Sequence, residues 1–550
     1  MKYILIFITA LLLGFSSCQN ESVVINDRVV IAVGEDIQSL NPLYSFSGTE
    51  SNIVELLFLS LVQHRWDNSK SNIVSYPMAA ESWSWNNDST ELTLQLRDDI
   101  LWTDKEKFTT EDVIYSFDLY SDPAVNSRLL GTFDNFYTED NQHIDINKSF
   151  EIISPTKIIV KFRPHSNPNL FDIGVPLLPK HILEKYKRSD LPTAEFNFKP
   201  VSNGPFKLKN WDRNSAIILT SDSTSFLYDK QNISELIFKI IPDYNSRISQ
   251  LRSGEVDLLE DIKSEDANNF KKLKGFSVGP IKGRQYDFIG LSNIDNEEYN
   301  RTKIIRPHPI WGDKEIRKAL TMAVNRQEIL TEFLGDYGQL AYSPVTNIFN
   351  TSSDSSISPY QYDLAEAKKI LKEQGWNDSD DNGIIEKNGK EFLINLFVPA
   401  GNPLREFAGT LIKNNLREAG VEVQIQTLEL GVFIENVMSK KIDAFMAGWS
   451  VPIPIELKPY WYSDLDKSPL NIVGYSNKEA DQILDELGFS MSEKKYFDLL
   501  HKFEMIMHED QPVIFLYWID NIVVYNSRIK NISIDPLGVI HQCWEWNLQK

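Results

Sequence analysis

The chain has 550 residues, 42% of them hydrophobic and 24% charged, with a formal net charge of −21. A single core stops growing near roughly 250–300 residues, so two or three lobes are expected. The apolar fraction, with 12 Trp, 21 Tyr and 30 Phe, excludes disorder as the main state, and the acidity argues against nucleic acid, whose phosphates need a dense basic surface.

Lys2 is followed by an apolar run, Tyr3 to Leu13, and then by Gly14, Phe15, Ser16, Ser17 and Cys18. A positive start, a short apolar run and small residues before a cut read as a signal peptide over 1–17. A cysteine directly after them is the lipobox arrangement, in which the thiol of Cys18 is acylated; Phe15 stands where such boxes usually carry Leu. The other cysteine is Cys543, so a lipidated Cys18 leaves no disulfide framework. No later run reaches the roughly 18 apolar residues of a membrane helix. Residues 18–27 form a polar tether, and the mature chain is expected in the cell envelope, on the periplasmic side, held to a membrane by lipid.

Val29 to Val33 is a β-branched run ending at Gly34, a buried strand, and Asn41-Pro42 marks a turn. Ile53 to Val62 has a helical apolar pattern, and Ser75 to Ala80 reads as a loop. Trp83 and Trp85 alternate with polar residues, as do Leu92, Leu94 and Leu96 in a half-buried strand. Thr109 with Asp112 makes a capping-box start to a helix carrying Val113, Phe117 and Tyr120. Ser202-Asn203-Gly204-Pro205-Phe206 is a turn entering a strand, Ile217 and Leu219 mark the next strand, and Ile237 to Ile241 another. A helix from Ser246 stops at Gly254. The second half alternates helices and strands: Asp313 caps one helix, Asp363 another that stops at Gly375, and a third runs from Leu404 to Gly420 before Val421, Val423 and Ile425 alternate. That order is an α/β signature.

Chemistry-bearing motifs are few. Asp378, Asp380, Asn382, Gly383 and Glu386 resemble the start of a calcium loop, but Gly389 takes the place of the bidentate Glu, so a hairpin turn is the better reading and no metal is assigned. His501 and His508 lie seven apart without a zinc pattern, and neither a nucleophile elbow nor a phosphate-cradling Walker loop is present. No cofactor is implied.

Several segments together resemble family 5 extracellular solute-binding proteins, the oligopeptide- and dipeptide-binding components of ABC importers. They are Pro77 to Trp83 with Leu92 to Arg97 and Trp102-Thr103-Asp104; the helix start at Thr109 to Val113; Ser202 to Phe206; Leu251 to Leu258; Ile316 to Leu320 with Ala323 to Arg326; and Tyr362 to Trp376. The resemblance runs over nearly the whole mature chain. It implies an α/β, periplasmic-binding-protein-like fold (type II, cluster C), with two main lobes plus an inserted third lobe joined by a two-crossing hinge. Lobe I would comprise 28–60, 199–287 and 516–550, lobe II 61–198 and lobe III 288–515, with crossings near Tyr286 to Leu291 and Gln511 to Trp518. Hinge closure would bury the ligand.

The family's ligand is typically an extended peptide that adds to strands of both lobes, held by an Asp of a Gly-Trp-x-x-Asp loop against its free ammonium. Here the loop reads Gly448-Trp449-Ser450-Val451-Pro452-Ile453-Pro454, so proline replaces that acid; Glu456 or Glu50 could substitute for it. The resemblance places ligand contacts at Ser47, Gly48 and Thr49 on the loop after the first strand, at Arg284 and Tyr286 on the hinge side, and at Gly448, Trp449 and Ser450. Trp449 could equally be a core ring, Arg284 a solvated or salt-bridged cation, and Ser47 to Thr49 an ordinary loop. The implied protein is a monomeric, non-enzymatic receptor that delivers a ligand to ABC permease subunits. A short peptide leads as ligand, with a modified peptide, an oligosaccharide or a metal chelate as alternatives, and a secreted hydrolase or a protein-binding scaffold as competing functions.

Overall fold

A computed structural model describes residues 27–139, 142–229, 232–349, 357–489 and 492–549. The signal segment, Cys18 and most of the tether lie outside the described residues. Among the described residues no helix is long and apolar enough to cross a membrane.

The β-branched run near the start forms β1 (Arg28–Val33), and Ser47 caps α1 (Gly48–Leu57). Lobe II follows. The strands β2 (Val62–Asp67) and β3 (Asn72–Pro77) pair as a hairpin. Next come β4 (Ala80–Trp85), β5 (Glu91–Leu96), α2 (Thr110–Ser121), β6 (Phe150–Ser154) and β7 (Lys157–Lys161), with the four strands in the antiparallel order β4-β5-β7-β6. The chain returns through β8 (Phe206–Asp212), β9 (Ala216–Ser221), β10 (Glu235–Ile240), α3 (Tyr244–Ser253), β11 (Leu258–Leu259) and the long β12 (Phe276–Leu291). Lobe III carries α4 (Lys314–Ala323), β13 (Gly338–Leu340), α5 (Leu364–Glu373), β14 (Leu393–Pro399), α6 (Pro403–Glu418), β15 (Glu422–Leu428), β16 (Ala444–Ser450) and α7 (Glu493–Asp510) before β17 (Val513–Asn526).

Eleven strands make one mixed sheet in the order β8-β9-β10-β1-β11-β17-β12-β16-β14-β15, with β13 paired to β17. β1 is parallel to β10 and β11, whereas β12 and β17 run antiparallel over most of their length. These two strands thread both main lobes. Phe276, Val278, Ile281 and Ile522 to Val524 belong to the lobe I cores, while Tyr286 to Leu291 and Val513 to Trp518 belong to those of lobe III. The crossing segments expected from sequence are therefore lobe III core. The passage between cores falls instead at Lys282–Gln285 and Ile519–Asn521, where the register slips. Gly283 is required there, because a Cβ would sit 1.5 Å from the Ile519 carbonyl oxygen. Asp520 bridges the slip, accepting from the Gly283 amide at 2.9 Å and pairing with Lys282 at 2.7 Å. On the far side, lobe II touches lobe III through Trp66 on Phe349, ring centres 5.6 Å apart, and through Asn72 donating to Glu493 at 2.8 Å.

Two local readings need correction. The first helix begins at Gly48 and ends at Leu57, not over Ile53 to Val62. The Ser202–Phe206 turn docks on its end: the Asn203 and Gly204 amides bond the Leu57 carbonyl, and a Cβ at Gly204 would meet the Leu56 carbonyl oxygen at 2.4 Å. The presumed loop at Ser75 is the second half of β3, because Ser75 and Tyr76 pair with His64 and Gln63.

Candidate functional site

Parallel strands leave their carboxyl ends as a natural crevice for ligands, and β1 and β11 end here side by side. A cavity of about 390 Å³ opens beyond them, lined among others by Gly34, Glu35, Thr49, Arg247, Glu260 and Asp261. α1 supplies Thr49 because its start is rigidly capped. Ser47 accepts from the Glu50 amide at 3.1 Å, and Glu50 returns a bond from the Ser47 amide at 2.8 Å. Glu50 also accepts from the amides of Gln38, Ser39 and Phe46. Its carboxylate is thus fully engaged by backbone in a buried position, which removes it as a substitute acid for a ligand ammonium. Ser47, Gly48 and Thr49 form a helix start and not a loop. A capping box, Ser followed three residues on by Glu, was legible there.

Charge in this cavity is unevenly balanced. Asp261 is hydrogen-bonded by Asn521 and sits in the field of Arg247, which partly offset the upward push of burial on its carboxyl. Arg247 is anchored on the carbonyls of Ile241 and Pro242, at 2.7 and 2.8 Å. Glu260 differs: its Oε1 is sealed from solvent with no hydrogen-bond partner. Burial, reinforced by the Asp261 charge, pushes its carboxyl up to about 7. One turn on from Asn52, Glu55 reaches water, yet the protein around it drives its carboxyl up to about 7 as well. Both carboxyls lie in the field of the His541 imidazole, itself 3.3 Å from Asp535.

A second cavity of about 430 Å³ adjoins at the passage between lobes, sharing Asp261 and adding Gly283, Arg284, Gln285 and Ser450. Arg284 donates to the Val451 carbonyl at 3.0 Å. No carboxylate lies within salt-bridge range of it among the described residues, and desolvation lowers its pKa. The structure thus brings Thr49, Arg284 and Ser450 to two cavities that share one aspartate. The other expected contacts are placed differently. Tyr286 is 1% exposed and packs on Trp518, ring centres 4.8 Å apart, so it is a core residue. Gly448 answers to packing: a Cβ would lie 2.2 Å from Asp287 Oδ1 and 2.6 Å from Arg405 Nη2, a bidentate pair with both bonds at 2.8 Å. Trp449 is half-buried, edge-on to Tyr460 at 5.1 Å.

Beyond Ser450 the chain runs through Val451 and Pro452, so no acid follows the strand directly. Glu456 is held protonated to higher pH by burial and by Asp134 of lobe II, a like charge and not a cation. On its outer edge β16 pairs with β14 only at Ala444 and Phe445, leaving Met446 to Ser450 without a ladder partner there among the described residues. Glu260 and Asp261 were missed from sequence, since Leu258-Leu259-Glu260-Asp261 carries no motif; its place depends on β1 and β17. The acidic turn does gather oxygens of Asp378, Asp380 and Glu386 within 4.8 Å of one another, with Asp378 and Glu386 accepting from the Gly383 and Ser379 amides.

Comparison with known proteins matches residues 75–470 to the model for bacterial extracellular solute-binding proteins, family 5 Middle. The oligopeptide-binding protein AppA of Bacillus subtilis is 26% identical over 531 residues, covering 95% of this chain and 92% of AppA. The structure of that AppA with a nonapeptide superposes with a TM-score of 0.71 at 24% identity, covering 95% of this chain and 99% of the other. NikZ of Campylobacter jejuni in complex with Ni(L-His) gives a TM-score of 0.71 at 26% identity, with the same coverage. With its threaded sheet, its inserted lobe and a match over most of its length, the chain belongs to the family 5 bacterial extracellular solute-binding proteins.

Proposed function

We propose that this protein captures a short peptide between lobes I and III and delivers it, unaltered, to the permease of an ABC importer. The observation that carries this reading is a pair of adjoining cavities, one beyond the end of β1 in lobe I and one at the passage to lobe III. Their walls hold an acid without a partner (Glu260), a cation without a carboxylate (Arg284) and, at the end of β16, Ser450 with its outer edge unladdered. An extended zwitterion with amide groups between its ends complements all three. Thr49, Arg284, Trp449 and Ser450 are the residues assigned to contact it, with Ser47 and Gly48 shaping the helix start. The lobes expected over 28–60, 61–198, 199–287, 288–515 and 516–550 fit this reading once the boundaries between lobes I and III are set at the bends, Lys282–Gln285 and Ile519–Asn521, where the cores change. Acylation of Cys18 would keep the receptor beside its permease as a monomer.

Peptide pools incubated with the purified protein test the proposal. Intact peptides recovered after washing support it, released fragments would indicate a hydrolase, and recovery of no peptide would sink it. The likeness to NikZ, whose structure holds Ni(L-His), favours one second reading, a small metal chelate; Ni(L-His) belongs in the same assay.

A further inference from the structure

Most charged side chains lining the site have partners. Asp261 has Arg247 and Asn521, Asp520 has Lys282, and Asp287 has Arg405. Glu260 stands apart, with Oε1 sealed from solvent and unbonded at the wall of the 390 Å³ cavity. A buried carboxylate oxygen without a donor is costly, and a native structure tolerates it where something else supplies the donor. The groups facing it can be enumerated by element. β11 leads to Glu260 and Asp261, β1 ends near Glu35, α1 presents Thr49 and Asn52, α3 presents Arg247, and the C-terminal segment brings His541. Acids outnumber bases, Arg247 is tied to two carbonyls, and His541 is held by Asp535. Negative charge in the cavity therefore exceeds positive, with Arg247 the cation on its wall.

Resting on the peptide reading, we infer that Glu260 in lobe I receives the ligand's ammonium group, at a place separate from the lobe III loop where Pro452 stands. An entering ammonium brings three N–H donors and a full charge to this carboxylate, which lines the cavity and whose sealed oxygen has no donor. Its arrival holds the Glu260 carboxyl ionised, and the Asp261 charge beside it adds to the negative field. Arg284, at the adjoining cavity, then faces the other end of the ligand.

The test uses detergent-solubilised full-length protein and a pool of di- to nonapeptides without Lys, Arg or His, offered with free and with acetylated N termini. Retained peptides are quantified by mass spectrometry. The free pool should be retained at least tenfold better than the acetylated pool. Glu260→Gln should lower retention of the free pool at least tenfold, the usual scale for a hydrogen bond to a charged group, with a melting temperature at or above that of the unsubstituted protein. Glu260→Asp, which keeps the charge, should keep the preference for free amino ends. Equal retention of the two pools, unchanged retention in Glu260→Gln, or lost retention with a lowered melting temperature would overturn the subsite while leaving peptide capture standing. Retention of neither pool would overturn peptide capture and the subsite with it.

Discussion

The two walls of the cleft handle charge in opposite ways. On the lobe III side, Asp287 is 1% exposed and clasped by Arg405 through two hydrogen bonds. Gly448 leaves room for that clasp, so the wall is finished without a ligand. On the lobe I side, Glu260 and Glu55 are pushed up to about 7 with no cation bonded to either. The contrast teaches that concave shape is not what marks a binding surface here. In the subsite proposed above, the mark is an unfinished electrostatic arrangement, stable enough to fold and left for a guest to complete.

Substitutions that treat the walls alike should therefore give unlike results. The largest effect is expected from Arg405→Ala, which strands a buried Asp287 carboxylate. Loss of one partner of such a pair destabilises by about 3–5 kcal/mol, and urea denaturation would show it; a loss under about 1 kcal/mol would mean that the lobe III wall is no better finished than lobe I. Next comes Gly283→Ala, at the seam between the walls. Its Cβ would collide with the Ile519 carbonyl oxygen, and overpacking of this kind costs about 1–3 kcal/mol. Because the clash falls at the bend, scattering with and without peptide should also report altered closure. Ser47→Ala removes the cap of α1 and should cost about 1 kcal/mol in the same melts, a local effect that spares the lobe III wall.

The most diagnostic change, read from its pH dependence, belongs to Glu260→Gln. The folded-state pKa of Glu260, about 7, lies above the ordinary value of 4.5. Between those values the folded chain holds a proton that the unfolded chain has released, so this group's contribution falls as pH rises from about 4.5 to 7 and is flat outside that window. Melts at pH 5 and pH 8 should thus favour the Gln variant more at pH 8. A variant advantage that shrank toward pH 8 would contradict the unpaired state of that wall.

Local order was legible in the residues themselves. Asp313, Asp363 and Thr109 each cap the helix they were expected to start. Gly254, Gly375 and Gly420 take the left-handed backbone expected after a helix, with φ of 80°, 86° and 84°. The alternation at Leu92, Leu94 and Leu96 buries that face of β5 completely. Such features come from contacts within a few positions, which a single stretch of sequence contains. The first helix was misplaced because apolar spacing was weighed over the Ser47–Glu50 box, and the bend because the family resemblance places the crossings only to within a few residues, while the slip in strand register that sets them is a tertiary contact.

What the sequence determined by itself is the set of helices and strands, their stops and, through several short motifs in order, the family. What the tertiary structure decided is which charges meet. Glu260 follows a strand of two residues that pairs with β1 and β17. Its setting is held by Asp257, which accepts from the Val30 amide at 2.9 Å and is clasped by Arg528. Those partners lie more than two hundred residues away along the chain. Electrostatic balance depends on distance in space and on exclusion of water, and neither is written in the order of neighbours.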